Sequence, residues 1–455
     1  NIAVDYFVEA LNKIDIELFK FSPLFVVGLC VLLLIIRNER TGYYVWIALC
    51  IFLLVLTVGI IRKSYYETGW DFNVYIAAVS AFENNFDPYS VGNLQKYQMQ
   101  ASNLPFVYPP ISILFFKALI VCFKKLHLSN FRINYYILWC LFLTGTFFVI
   151  RRGDKDFQPL LLITLLTTGF IASFWNFLTG NIGLIELFLF SLTFYFILKE
   201  RYYLSAAFIT VTAAMKIIPL IFLILFIFLK TSKQGNWRII LFSVMLFVLI
   251  NAASYFLFPN ITYSYYQSVL GKLGGEGRLI HESGGIVNPS LFFLIRKVSR
   301  KLFCESYVVS FSIYTLFAGC VIAFFSRYVL KKDREFVKIF SLGVISFFLV
   351  YPRTSPYSFA FVLLPVYFLI KEFDLRNKFL TVLIVSAVPL ITLLKLVTNL
   401  FIYGRRDDSC FAKGLSYSQS ICLLVFFVFF LVRDYFDSKR ICEGTLLNDL
   451  KKDVQ

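Results

Sequence analysis

Long apolar runs, broken by short polar segments, recur from one end of the chain to the other. Runs at 20–37, 43–61, 106–123, 133–150, 159–178, 182–198, 238–258, 306–330, 336–351, 357–371, 379–402 and 417–433 approach or exceed the length needed to cross about 30 Å of hydrocarbon as a helix. Residues 203–228 form one further apolar stretch, interrupted by Met215-Lys216 and Pro219. That stretch reads either as a kinked helix or as two short helices meeting at Lys216. The pattern predicts an all-α polytopic membrane protein of about 12 to 14 transmembrane helices. Residues 1–433 read as a single membrane domain and 434–455 as a solvated cytoplasmic tail. Two polar segments, 62–105 and 259–290, are long enough to form outer loops.

Composition sharpens this reading. The chain is 59% hydrophobic and 16% charged across 455 residues, with a mean hydropathy of +0.75. These values exclude a secreted enzyme, a cytosolic enzyme and a disordered scaffold. The net charge of +17 would suggest a nucleic-acid partner in a soluble protein. Here the Lys and Arg clusters fall between spans, at 124–125, 151–152, 230–238 and 331–338, as the positive-inside rule requires, so membrane lipid is the expected partner and nucleic acid is not. Nine cysteines are scattered singly and only two histidines are present. They read as buried small hydrophobes and not as a metal site, so no metal is expected.

Charge also suggests an orientation. Residues 1–20 are acidic and 37–40 net basic, which favours an outer N-terminus and places 62–105 outside. One conflict follows: two full crossings after this loop would return Arg151-Arg152 to the outside. Either 106–123 does not cross fully or the arginine pair is an exception.

The loop 62–105 carries the most chemistry. Phe72, Tyr75, Ile76 and Val79 follow helical spacing, predicting a helix over 72–83 lying at the membrane interface with Asp71 at its N-terminus. Asp71 there is either an N-cap or a carboxylate acting as general base, and the two roles are compatible. Asp87-Pro88 is a turn signal. Tyr108-Pro109-Pro110 opens an apolar run, where Tyr108 would shape a pocket. Trp175 to Asn181 forms a polar break, followed by Glu186 inside an apolar run. Lys216 either snorkels to the interface or meets an anionic partner such as a lipid phosphate. The glycine-rich loop after Gly271 lacks the spacing of a nucleotide loop. Its Arg278 and His281 are solvated or contact a phosphate. Residues 290–303 alternate apolar positions with Arg296, Lys297, Arg300 and Lys301, an interfacial amphipathic pattern. Arg353, at a boundary between spans, suits phosphate recognition.

Taken in order, these pieces resemble glycosyltransferase family 87 of the multispanning GT-C superfamily, over roughly residues 65–370. The resemblance is carried by Asp71…Tyr75…Ala78 with Asp87-Pro88-Tyr89, by Tyr108-Pro109-Pro110, by Gly180-Asn181, by Ala213-Ala214-Met215-Lys216 with Pro219, and by Asn288-Pro289-Ser290. Where many members have Gly-Gln and Asn-Gln-Ser, this chain has Gly180-Asn181 and Asn288-Pro289-Ser290. The resemblance implies a GT-C helical bundle whose site faces away from the cytoplasm. It implies a polyprenyl-phosphate sugar donor (mannose first), a lipid or glycan acceptor, and inverting transfer without metal or cofactor. On that pattern Asp71 is the base, and Trp70 and Tyr75 would stack on the sugar. Asp87, Tyr89, Tyr108, Asn181, Lys216, Arg278, His281, Asn288 and Arg353 complete the expected substrate contacts.

The remaining readings are a flippase or transporter of a lipid-linked oligosaccharide, and an O-antigen-type polymerase. The first predicts several charges along a mid-membrane path, where only Glu186, Lys216, Lys117 and Lys395 offer themselves. The second predicts arginine-rich outer loops. Enrichment in Phe, Ile, Lys and Tyr points to an AT-rich, bacterial genome, and for a multi-pass protein of such a source the expected location is the inner (plasma) membrane.

Overall fold

A computed structural model describes residue 47 and residues 69–97, 104–125, 131–229, 236–270, 288–303, 307–330, 335–389 and 417–452. The expected span 20–37, all of 43–61 except residue 47, the loop residues Arg278 and His281, and Lys395 lie outside the described residues. Among the described residues every regular element is helical. Five helices are long and apolar enough to cross a membrane, and six shorter apolar helices accompany them. The chain is therefore a polytopic all-α membrane protein.

The helices are α1 (Trp70–Glu83), α2 (Val91–Gln95), α3 (Pro110–Lys125), α4 (Phe131–Gly153), α5 (Pro159–Thr168), α6 (Ala172–Thr179), α7 (Gly183–Leu198), α8 (Tyr202–Met215), α9 (Trp237–Leu257) and α10 (Pro259–Tyr265). They continue as α11 (Leu291–Phe303), α12 (Tyr307–Leu330), α13 (Phe336–Val350), α14 (Ala360–Ile370), α15 (Leu375–Val382) and α16 (Ser418–Lys452).

The interrupted stretch is two helices. Lys216 leaves α8 in an extended conformation, φ −154° and ψ 119°, and a 3₁₀ helix follows over Ile218–Phe228. Pro219 explains the break, because its ring would clash with the carbonyl four residues back, at Met215. The expected single span at 159–178 is also broken, which the apolar pattern did not show. Phe170 and Ile171 adopt positive φ between α5 and α6. The amide of Gln419 donates to the freed Phe170 carbonyl at 2.5 Å, so backbone that leaves the helix ladder is satisfied by protein, as the hydrocarbon demands.

Two ends of the bundle can be distinguished. At one, Asp154 after α4 accepts hydrogen bonds from Tyr367 (2.8 Å) and Lys371 (2.6 Å) at the end of α14. Phe336 at the start of α13 packs there against Tyr202 and Phe226. Arg151, Arg152, Lys199, Arg201, Lys338 and Lys371 all belong to this basic end. At the other, the chain reversals after α6, α8 and α13 converge. Asn176 donates to the carbonyl of Tyr357 (3.2 Å), and Lys216 Nζ lies 4.7 Å from the Tyr357 ring centroid.

The crossing conflict resolves at α3. Its Phe116 stacks on Tyr75 at 4.3 Å and its Phe123 lies 6.4 Å from Phe72, so α3 runs back alongside α1. Lys117, midway along α3, pairs with Glu83 at 3.2 Å, both half-exposed. Helix α4 then begins beside α1, where Tyr135 packs 5.5 Å from Phe72, and ends at Gly153 against Tyr195 and Leu198. Thus α3 stays with the reversals, and α4 is the helix that carries Arg151-Arg152 to the basic end.

Helix α1 buries Phe72, Asn73, Val74, Tyr75, Ala77, Ala78, Val79 and Ala81 and leaves Ile76, Ser80 and Glu83 partly or fully exposed along one face. Helix α3 and the aromatic residues of α4 cover its buried side. Helix α16 extends unbroken to Lys452, so the helix continues past its candidate span, Ser418–Phe436.

Candidate active site

Two glycines bring the start of α1 against the turn after α6. Gly69 caps α1 at φ +86° and Gly180 caps α6 at φ +70°, both left-handed conformations that side chains disfavour. A Cβ on Gly180 would lie 2.8 Å from Phe72 Cβ, and one on Gly69 would lie 2.9 Å from the Tyr135 ring. The Gly69 N–H donates to the Leu178 carbonyl at 2.8 Å, which fixes the junction.

This junction overturns the capping role of Asp71. The N-cap is Gly69, with no side-chain cap, and Asp71 is the second residue of α1. Its carboxylate is turned instead toward the turn after α6. Asn181 Nδ2 donates to Asp71 Oδ2 at 2.8 Å and to the Tyr108 hydroxyl at 3.2 Å, while Asn181 Oδ1 accepts from the Gly183 N–H at 3.1 Å. The Gly183 contact fixes which way the amide faces, so the NH₂ must point at Asp71. Thr179 lies near Asp71, where its hydroxyl favours the ionised carboxylate, and it accepts from the Asn181 N–H at 3.1 Å.

Asp71 is partly exposed as a residue, yet its carboxylate is largely withdrawn from water. Burial pushes its pKa up from 3.8 to about 6, against the opposing pulls of Asn181, the Lys216 charge and Thr179. The result is a carboxylate that is ionised at neutral pH and basic enough to take a proton from a hydroxyl.

Around it, Tyr75 and Tyr108 share a 2.8 Å hydroxyl–hydroxyl bond, and burial holds both phenols well above their usual pKa. Tyr75 is 2% exposed and stacked on Phe116, so it offers no face to a sugar, contrary to the expected stacking. Its role is to support Tyr108. Trp70 remains partly exposed. Asp87 accepts from the Tyr89 N–H at 2.9 Å, the local bond of a turn. The Tyr89 hydroxyl donates to the Tyr108 carbonyl at 2.8 Å, and so braces the Tyr108 backbone.

Lys216 enters from the break between α8 and the 3₁₀ helix. Its ammonium lies 3.7 Å from Glu186 and its charge reaches Asp71. The neighbouring 351–357 loop is tied down by Asn288, whose Oδ1 accepts from the Thr354 N–H at 3.1 Å, and by Ser290, which donates to the Pro352 carbonyl at 2.7 Å. Arg353 is partly exposed on this loop, in electrostatic range of Tyr351. Asp71, Tyr75, Tyr108, Asn181 and Lys216 are thus gathered into one cluster. Asn288 and Arg353 lie on its adjoining loop, and Asp87 and Tyr89 stand behind it.

Sequence reasoning did not single out Thr179 or Tyr357. Both lie in polar breaks between spans, and that position was the available signal. A hydroxyl in a reversal at a bundle end is as often a turn residue as a site residue.

No curated protein sequence matches the chain. The model of glycosyltransferase family 87 matches residues 106–352, a narrower reach than the 65–370 expected. The match takes in Tyr108, Asn181, Lys216 and Asn288 but leaves out Asp71 and Arg353. It covers more than half of the chain, which therefore belongs to glycosyltransferase family 87 and is a membrane glycosyltransferase.

Proposed function

We propose that the enzyme moves a hexose, mannose first, from a polyprenyl-phosphate donor to a hydroxyl of a lipid or glycan acceptor, with inversion and with Asp71 as general base. The reaction would take place on the extracytoplasmic side. The gathering of basic loops at the opposite end of the bundle supports that sidedness by the positive-inside rule. A bacterial inner membrane is the expected location.

In one displacement the acceptor O–H gives its proton to Asp71, and the acceptor oxygen bonds to the anomeric carbon. The bond from that carbon to the phosphate oxygen breaks, and polyprenyl phosphate leaves with the electron pair. Asn181 and Thr179 hold the carboxylate in register, so the reacting oxygen meets a fixed base. Lys216 supplies positive charge where the leaving phosphate gains a negative one. Arg353, and Arg278 and His281 from the long outer loop, are further candidates for phosphate contacts. Trp70 remains a candidate sugar contact. The membrane supplies the donor, and no cofactor is invoked.

The observation that carries this reading is the Asn181–Asp71 bond, which orients an elevated-pKa carboxylate within reach of the Lys216 charge. The test is a transfer assay with purified protein, offering radiolabelled polyprenyl-phosphate-mannose against polyprenyl-phosphate-glucose and nucleotide sugars. Transfer from a lipid-phosphate donor only is expected. Transfer from a nucleotide sugar alone would overturn it.

A further inference from the structure

Among the described residues two lysine–carboxylate pairs lie in the interior, and they are built differently. Lys371 meets Asp154 at 2.6 Å, and Tyr367 donates to the same carboxylate. That pair is short, hydrogen-bonded and closed, as a structural ion pair has to be. Lys216 and Glu186 stand 3.7 Å apart. Both carboxylate oxygens of Glu186 and the Lys216 ammonium are enclosed without a hydrogen-bond partner.

Glu186 is fully buried in the first turn of α7. The Lys216 side chain is 18% exposed, although its Nζ is enclosed. The exposed part is therefore the stem. The ammonium is folded inward, between Glu186 and the face of Tyr357, 4.7 Å from its ring centroid. Three charged atoms left short of hydrogen bonds are costly in a low-dielectric interior. The arrangement holds a charge close to the site without saturating it.

We propose that Glu186 is a positioning residue: it keeps Lys216 retracted in the donor-free enzyme and competes with the donor's phosphate for the ammonium. A phosphate entering beside Asp71 draws Lys216 outward and offers it the short, charge-assisted hydrogen bonds that Glu186 does not make. When the lipid phosphate leaves, Glu186 and the Tyr357 ring take the lysine back. Glu186 thus weakens product binding and speeds release. The inference rests on the lipid-phosphate donor proposed above and adds a residue that never touches it.

The experiment measures polyprenyl phosphate binding to the full-length protein in lipid nanodiscs, alongside steady-state transfer. Glu186→Gln keeps the side-chain volume and removes the competing charge. It is expected to bind polyprenyl phosphate on the order of tenfold tighter, with donor KM and kcat both falling as release slows. In a Lys216→Met background the same substitution should change neither quantity. Glu186→Asp, which withdraws the charge by one bond length, should give an intermediate tightening, and it serves if Glu186→Gln does not fold. Unchanged or weaker phosphate binding in a folded Glu186 variant overturns the inference while leaving the donor reading intact. Failure of the native protein to retain polyprenyl phosphate at all overturns both.

Discussion

Asn181 donates a 2.8 Å hydrogen bond to the carboxylate of Asp71 across 110 positions of the chain. The bond joins the segment that the family model covers to a residue that it does not reach. Asn181 belongs to the turn that opens α7, and Asp71 to the first turn of α1. Their meeting depends on the two left-handed glycines between them.

Removing the donor tests that bond. Asn181→Leu is expected to lower kcat about 10- to 100-fold, since a hydrogen bond to a charged group is lost in a partly dry site. The same loss removes one of the groups that lower the Asp71 pKa, so the acid limb of the rate profile should move to higher pH. A pH–rate profile of the variant reads both effects. An unmoved limb would separate Asn181 from Asp71.

Acid should inactivate the enzyme through one protonation. Asp71 works as a base only when ionised, and its pKa is about 6. Activity is therefore expected to be full above that value and to fall about tenfold per pH unit below it. Stability carries the opposite sign. A carboxylate whose folded pKa is raised costs stability where it is ionised, above about 6, and nothing below its unfolded value of 3.8. Asp71→Asn should raise the thermal midpoint at pH 8 and give no gain at pH 3.5.

Gly180→Ala should cost activity more than its size suggests. The new methyl would be forced into a left-handed conformation 2.8 Å from Phe72 Cβ. Strain of about 1–3 kcal/mol is expected, relieved by moving α1 and with it Asp71. A parallel fall in thermal midpoint and transfer rate, with Gly180→Ser no better, would bear this out.

The basic end offers a control remote from the chemistry. Asp154→Ala leaves Lys371 buried and unpaired, at an expected cost of about 3–5 kcal/mol. The thermal midpoint should drop, while the donor KM of the folded fraction should stay the same. A changed KM would mean that the two ends are coupled.

Much of the architecture could be read from hydropathy, because apolar length alone decides which segments can cross. The split at Lys216 was open to either reading, and Pro219 decides it. The break at Phe170 and Ile171 was hidden, because an apolar run looks the same whether or not its backbone stays helical. Burial of α1 was hidden for a related reason: helical spacing reports a period, not what covers each face. Asp71 stood out as a carboxylate at a helix start, but capping and catalysis predict the same residue there. The turn conformation of Gly69 separates them, since it takes over the cap and frees the carboxylate for Asn181. The orphaned state of Glu186 and Lys216 follows from a distance, which no sequence spacing reveals.

The most direct test of the whole account is sugar transfer by the native protein and by Asp71→Asn, from radiolabelled polyprenyl-phosphate-mannose, with folding of both checked by thermal melting. Asparagine keeps the shape and can still accept from Asn181, but it cannot take a proton. The account predicts transfer by the native protein and a loss on the order of 10²–10⁴-fold in the folded variant. Equal transfer by the two proteins would contradict it.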